Sequence, residues 1–268
     1  MKKAFICSAA VLFIAVEANA QMIVDPSKPL TNKPEETEVY APQAPLPKVV
    51  KSGKLFDAPP SDAVILFDGK NLDEWVSTRG KTPAKWTLSD GVFTVNKPSG
   101  DIETKRTFTN YQLHIEYRIP ENITGEGQSR GNSGIFLAAT NGKAGGYEIQ
   151  VLDGYNNENK TYVNGMVGSI YKEAIPLANP ARKAGEWNVY DIVWTAPTFN
   201  ADGTVKTKAR VTAFLNGVLV QNNFEVQGET NYIGKHDYIK HGPSPIKLQA
   251  HGDKSEPISF RNIWLREL

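Results

Sequence analysis

Tyr111-Gln112-Leu113-His114-Ile115-Glu116-Tyr117-Arg118-Ile119 is the stretch from which the rest of the chain is read. Leu113, Ile115, Tyr117 and Ile119 recur at every second position, and Gln112, His114, Glu116 and Arg118 fill the gaps. Side chains of an extended chain point alternately to two faces, so nine residues of this pattern predict a half-buried strand. No segment sustains the 3.6-residue period of an amphipathic helix. Further strands are predicted at 64–67, 86–88, 92–95, 134–139, 147–152, 187–195, 209–215, 218–221, 246–250 and 258–265. Asn216-Gly217 separates two of them and accepts positive φ at both turn positions, a strong hairpin signal. Asp90-Gly91 and Asp202-Gly203 mark other turns, and a short helical turn is expected near 180–183. About eleven strands between Gly, Pro and Asn turns over residues 61–268 predict an all-β, two-sheet sandwich or barrel. One face of each sheet then packs on the other sheet, so function is sought on the polar strand faces.

Composition narrows the partners. Thirty Lys+Arg against 29 Asp+Glu leave a net charge of +1, which argues against a nucleic-acid clamp. The one cysteine, Cys7, excludes a disulfide framework and a Cys-ligated metal. Lys2 and Lys3, an apolar run from Ala4 to Val16 and Ala18-Asn19-Ala20 make residues 1–20 a secretory signal peptide cleaved after Ala20. The run is too short to span a bilayer, which takes about 20 residues. An exported, periplasmic or extracellular protein with no membrane span is expected. Residues 21–60 hold 8 of the 17 prolines and no apolar periodicity. They are read as a linker or tail, or else a strap on the domain surface, in either case outside the core.

Four blocks carry candidate chemistry. Arg130-Gly131-Asn132-Ser133-Gly134 offers a guanidinium fork and an amide beside small residues. Gly146-Tyr147-Glu148-Ile149-Gln150-Val151-Leu152-Asp153 sets Glu148 and Gln150 on one strand face. Asp153 points inward if that strand is regular, and a bulge would return it beside Glu148. In Lys247-Leu248-Gln249-Ala250-His251, alternation lines Lys247, Gln249 and His251 along the open face if Leu248 faces inward; Gln249 and His251 otherwise belong to a solvated edge. His251 ranks first among the four histidines for proton transfer near neutral pH, and His114 reads as plain surface. His236 and His241 flank a loop from Gly234 to Pro245, which is either a lid or merely a loop. Gly168-Ser169-Ile170-Tyr171-Lys172 ends in a Tyr-Lys pair, Trp187 is assigned to core packing, and Arg261 to a charge pair on the last strand. No serine-nucleophile elbow, zinc-protease helix, Walker or dinucleotide-binding motif is present.

Taken in order, these blocks resemble the 3-keto-disaccharide hydrolase domain family. The residues that carry the resemblance are Leu66-Phe67-Asp68-Gly69-Lys70-Asn71-Leu72 with Trp75, Asn132-Ser133-Gly134-Ile135, Gly146-Tyr147-Glu148-Ile149-Gln150 with Asp153, Gly185-Glu186-Trp187-Asn188, Asn216-Gly217, and Leu248-Gln249-Ala250-His251-Gly252 followed by Phe260-Arg261-Asn262-Ile263. Ala250 stands where the family often carries Asp. The resemblance implies a jelly-roll sandwich of the concanavalin A-like lectin/glucanase type. It also implies cleavage of 3-keto-glycosides, with a sugar-oxidising oxidoreductase acting upstream. A ketone at carbon 3 acidifies the hydrogen at carbon 2, so a base can open an elimination that expels the aglycone before water adds. Glu148 and His251 are then the catalytic pair with Asp153 beside them, and Arg130, Asn132, Gln150, Lys172 and Gln249 bind the sugar or its enolate. No cofactor is required, but a divalent metal held by Glu148, His251 or Asp153 would serve the same end. Two alternatives use the same face. Glu148-x-Gln150-x-x-Asp153 resembles the E-x-D-x-x-E strand of laminarinase-type retaining glycosidases, with Gln and Asp in place of Asp and Glu. A non-catalytic carbohydrate-binding module is the other.

Overall fold

Tyr111, Leu113, Ile115 and Tyr117 are fully buried in the main hydrophobic core, as their alternation predicts. Their strand, β7 (Tyr111–Arg118), lies near the middle of the larger sheet. The structure, a computed structural model, describes residues 31–42, 44–46, 48–49 and 58–268, so the signal-peptide reading lies outside the described residues. Strands are numbered in chain order. The larger sheet runs β15 (Val218–Glu225), β14 (Arg210–Leu215), β11 (Trp187–Thr195), β7, β17 (Ser259–Glu267), β5 (Val92–Thr94), β4 (Thr87–Ser89), and β2 (Val64–Phe67) also pairs with β17. The smaller runs β3 (Trp75–Ser77), β6 (Ile102–Thr104), β16 (Lys247–Leu248), β8 (Ser133–Ala139), β9 (Gly146–Val151). Two small ribbons complete the set: β1 (Lys48–Val49) parallel with β10 (Ala178–Asn179), and β12 (Thr198–Phe199) antiparallel with β13 (Val205–Thr207).

The two large sheets form the expected jelly-roll sandwich. Ile135 and Leu137 of β8, Ile149 and Val151 of β9 and Leu248 of β16 meet the inner face of the other sheet in one core. Hydroxyls also tie the layers: Tyr190 on β11 donates to the Gln150 carbonyl on β9 at 2.7 Å. The opposite faces of β8, β9 and β16 are thereby left to other chemistry. The hairpin turns follow their residues. Asn216 and Gly217 adopt φ of 53° and 79° between β14 and β15, and Asp90 and Gly91 adopt 52° and 74° between β4 and β5. No helix forms at 180–183; among the described residues the helical turns are 3-10 turns elsewhere, one of them at Gly127–Ser129. No helix among the described residues is long and apolar enough to cross a membrane.

Three sequence readings need correction here. His114 is not plain surface but fully buried. Its ring stacks on Trp264 at 4.9 Å, and its Nδ1 lies 2.8 Å from Asp191 Oδ1. A register shift in β17 between Arg261 and Trp264, with Asn262 at φ 45°, folds those side chains over the outer face of β7. Trp187 is not core but lies between the Arg118 and Arg261 guanidinium groups, 4.7 and 4.1 Å from its ring. Residues 31–49 are not a free tail where described. Val163 N donates to Val39 O at 2.7 Å, and Asn164 Nδ2 donates to Thr37 O at 2.8 Å. Ala44 joins Val163, Met166 and Ile175 in a second small core. The surface-strap alternative therefore describes this segment, with the addition that it brings its own apolar contacts.

Candidate active site

Alternation along β8, β9 and the strand ending at Leu248 turns Phe136, Glu148, Gln150 and Gln249 away from the core, onto the open face of the smaller sheet. They floor a cavity of about 840 Å³. Asn132 and His251 border it from the strand ends, Tyr162 and Tyr171 from one wall, Thr230 to Ile233 from another, and Asn32 of the strap reaches the rim.

Glu148 is 6 % exposed. Its backbone is pinned, because Glu148 N donates to Thr230 Oγ1 at 3.0 Å and Tyr171 N donates to Glu148 O at 3.1 Å. Gly134 leaves room for it: a Cβ there would meet the Glu148 carboxyl and make it shift. No described residue gives that carboxyl a hydrogen bond or an ion pair. Burial pushes it up to about 8, with Lys247 opposing and Asp101 adding to the shift. Lys247 is itself held over the Phe136 ring at 3.5 Å, and burial lowers its ammonium below the usual lysine range. At neutral pH Glu148 therefore carries a proton, and in the free protein it is a poised acid rather than a base.

His251 is the opposite case. Its Nδ1 lies 2.8 Å from Asp253 Oδ2, and its side chain is 36 % exposed. Burial alone would raise Asp253, but hydrogen bonds from His251, Ser255 and Lys97 outweigh it and hold the carboxyl well below the usual range. A carboxylate only accepts, so Nδ1 directs a proton at Asp253, and Nε2 has no hydrogen-bond partner among the described residues. An imidazole oriented in this way is equipped to take a proton.

The amides are set by a relay. Gln128 Nε2 donates to the Gly165 carbonyl at 2.6 Å and to Thr161 Oγ1 at 2.7 Å. Its Oε1 accepts from Asn132 Nδ2 at 3.3 Å and Gln150 Nε2 at 3.4 Å. Asn132 Oδ1, Gln150 Oε1 and Gln249 Oε1 are left as buried acceptors without a partner among the described residues.

Glu148, His251, Asn132, Gln150 and Gln249 thus come together as the sequence suggests, and three other candidates do not. Asp153 is 1 % exposed and accepts from Arg130 Nε at 2.7 Å and from Tyr155 N at 3.1 Å, away from the cavity lining. The register shift between β8 and β9 falls at Phe136/Ala139, the other end of the hairpin, so nothing returns Asp153 to the face of Glu148. Arg130 is correspondingly its counter-ion. Lys172 is fully buried; its Nζ donates to Tyr232 O at 2.9 Å and lies 3.4 Å from Glu38 Oε1 of the strap. It braces the cavity wall from behind. The metal set Glu148, His251 and Asp153 is therefore divided, and among the described residues no three His, Cys, Asp or Glu side chains gather as ligands. No residue of the Gly234–Pro245 loop lines the cavity, and His241 Nε2 lies 3.0 Å from Tyr147 Oη.

Sequence reasoning missed Asp253, Gln128 and Tyr162. Asp253, two residues after His251, had a signal in the His-Gly-Asp spacing; the other two stand in loops without period. Asp253 also bears on Ala250: a carboxylate reaches His251 from three residues further along, while Ala250 N donates to Asp101 Oδ1 at 2.8 Å.

Known proteins are similar to this chain in sequence and fold. A structure from Parabacteroides distasonis ATCC 8503, provisionally described as a glycosyl hydrolase, is 56 % identical with a TM-score of 0.75, over 87 % of this chain and 96 % of that one. A second structure from that organism, with the same description, shares the fold at 21 % identity and a TM-score of 0.57, over 77 % and 94 %. A 3-keto-disaccharide hydrolase of Bacteroides thetaiotaomicron is 27 % identical over 152 residues, 47 % of this chain and 50 % of that protein. The match thus spans about half the length of that curated relative. The profile described as 3-keto-alpha-glucoside-1,2-lyase-like domain matches residues 62–266, and the chain belongs to that family.

Proposed function

We propose that this protein is an exported enzyme that cleaves 3-keto-glycosides by elimination and rehydration. The observation that carries the reading is the pairing, on one cavity, of a buried Glu148 whose carboxyl has no hydrogen-bond partner among the described residues with an Asp253-oriented His251. Elimination across carbons 1 and 2 needs one group to remove a proton and another to supply one, and these two differ in the right sense. His251 Nε2 takes the proton from carbon 2, and the electron pair is held as an enolate through the carbon-3 ketone. The pair then moves between carbons 1 and 2, the carbon 1–oxygen bond breaks, and the leaving oxygen takes the Glu148 proton. Water adds across the double bond, hydroxyl to carbon 1 and hydrogen to carbon 2, so the net change is hydrolysis. Asn132, Gln150 and Gln249 accept from sugar hydroxyls. An oxidoreductase that converts the carbon-3 hydroxyl to a ketone must act first, and export from the cytoplasm follows from the reading of residues 1–20. A divalent cation assisting the enolate stays open to test by chelation.

The test is aglycone release from matched glucosides and 3-keto-glucosides, with and without chelator. Release from the keto form alone, lost in both Glu148→Gln and His251→Ala, is expected. Release from the unoxidised glucoside at an equal rate would overturn the elimination, and binding without release from either would move the protein to the binding modules. Retaining hydrolysis by Glu148 and Asp153 has no support in the geometry, since Glu148 lines the cavity and Asp153, two residues beyond β9, does not.

A further inference from the structure

Tyr162 and Tyr171 both line the cavity, and their hydroxyl oxygens are 2.6 Å apart. Tyr162 is the more buried, at 5 % exposure, and among the described residues the Tyr171 hydroxyl is its one hydrogen-bond partner. Two hydroxyls in contact share one of their two protons. Either oxygen can be the donor. The arrangement in which the more enclosed Tyr162 donates and the more exposed Tyr171 accepts leaves the Tyr171 O–H to whatever occupies the cavity, and we take that arrangement.

The surroundings fix this pair. Tyr171 N donates to Glu148 O at 3.1 Å, so the two side chains leave neighbouring positions on one wall. Tyr40 of the strap packs edge-on against Tyr162 with ring centres 6.0 Å apart, and Lys172 Nζ lies 5.1 Å from the Tyr162 ring. Burial raises both phenols above their ordinary range, so both keep their protons across the working pH. A phenol that accepts one hydrogen bond is a better donor of its own, as chains of hydrogen bonds polarise one another.

We infer that Tyr171 is a further catalytic residue, its hydroxyl donating to the oxyanion that forms on the substrate, with Tyr162 behind it as a positioning residue. The inference rests on the elimination reading above. In that reaction the carbon 2–hydrogen bond breaks to His251, the freed pair gathers as negative charge on the carbon-3 oxygen, and Tyr171 supports that charge without giving up its proton. Glu148 is then left to protonate the leaving oxygen alone, so the three roles fall on three groups.

The test is a double-mutant cycle on turnover of a 3-keto-glucoside, in the full chain. Phenylalanine keeps each ring and its packing, so only the hydroxyl is lost. Removing one preformed donor to an oxyanion lowers kcat about 100- to 1,000-fold, and Tyr171→Phe is expected in that range with KM within about threefold. Tyr162→Phe is expected to lower kcat about tenfold, because it acts through Tyr171. The double variant is then no slower than Tyr171→Phe, since the outer hydroxyl has nothing left to position. A Tyr171→Phe enzyme within about threefold of the parent would overturn the inference. So would two losses that multiply, the result expected of independent packing effects. Failure of the parent enzyme itself to release aglycone from any 3-keto-glucoside would instead count against the elimination reading.

Discussion

Glu116 and Glu148 are mid-strand glutamates of almost equal burial, 8 % and 6 % exposed, one on each sheet, and the fold treats them in opposite ways. On the larger sheet, burial alone would raise Glu116. Hydrogen bonds from His114, Asn262 and Arg261 outweigh it and bring the carboxyl down to about 2. Arg261 Nε sits 2.6 Å from Glu116 Oε2 and Asn262 Nδ2 2.8 Å from Oε1. On the smaller sheet Glu148 has neighbours that pin its backbone and none that bond its carboxyl, and it rises to about 8. A buried carboxyl surrounded by donors is a joint; one left without them is held ready for a ligand. The difference teaches that the site is recognised by missing partners, more than by residue type.

The largest contrast is expected from exchanging each carboxyl for an amide. Glu148→Gln should lower turnover of a 3-keto-glucoside by about 10²–10⁴-fold, the usual worth of a positioned acid, while sugar binding persists. Glu116→Gln should leave turnover within about threefold and lower the unfolding free energy by about 1–3 kcal/mol, because Arg261 loses its charged acceptor. Kinetics and urea melts on the same two proteins decide this. If Glu116→Gln proved the slower enzyme, the contrast would be lost.

Asp253→Asn should come next. It exchanges the anionic, accept-only partner of His251 Nδ1 for a neutral amide that can also present its NH2 there, and a loss of about 10²–10⁴-fold in kcat is expected, as for other His–carboxylate pairs. A kcat within about threefold of the parent would free His251 from that partner.

Stability against pH separates the two regions without any substrate. A carboxyl raised in the folded state binds its proton more tightly there than in the unfolded chain. Stability then falls as pH climbs from the model-compound range near 4.5 toward about 8, for Glu148 and for Glu173, which burial likewise raises to about 8. Glu116 and Asp253 are lowered and work in the other direction: their contribution is complete above about 4.5 and is lost as pH falls toward their folded values. Melting temperature should therefore peak on the acid side of neutrality. Glu148→Gln should raise it more at pH 8 than at pH 5, and Glu116→Gln should lower it at both.

The smallest effect is expected at Trp187, whose two guanidinium contacts lie on the outer face, away from the cavity. Trp187→Leu should cost about 0.5–2 kcal/mol of stability through those contacts and leave turnover unchanged.

Much of the fold was legible because long strands show their alternation. The Trp187–Thr195 and Val64–Phe67 strands lie where the sequence puts them. Trp75–Ser77 and Ile102–Thr104 escape, because three residues are too few to display a period. Of the site, the residues on strand faces were legible and the loop residues were not. Glu148, Gln150 and Gln249 follow from alternation, whereas Gln128 and Tyr162 are brought in by turns whose course depends on tertiary contacts. Alternation also misled. It assigned His114 and Glu116 to an open surface, since period two reports that there are two faces and not what later covers them. The β17 register shift that folds Trp264 and Asn262 over β7 comes from a strand about 150 residues away.

Direct titration of the two glutamates tests the central claim. Carboxyl carbon signals of glutamate-labelled protein, assigned with the Glu148→Gln, Glu116→Gln and Glu173→Gln variants, would be followed by NMR from acid to alkaline pH. The account predicts a midpoint of about 8 for Glu148 and about 2 for Glu116. A Glu148 midpoint in the ordinary carboxylate range, near that of an exposed glutamate at about 4.3, would contradict it, because the cavity would then hold an anion where the mechanism needs an acid.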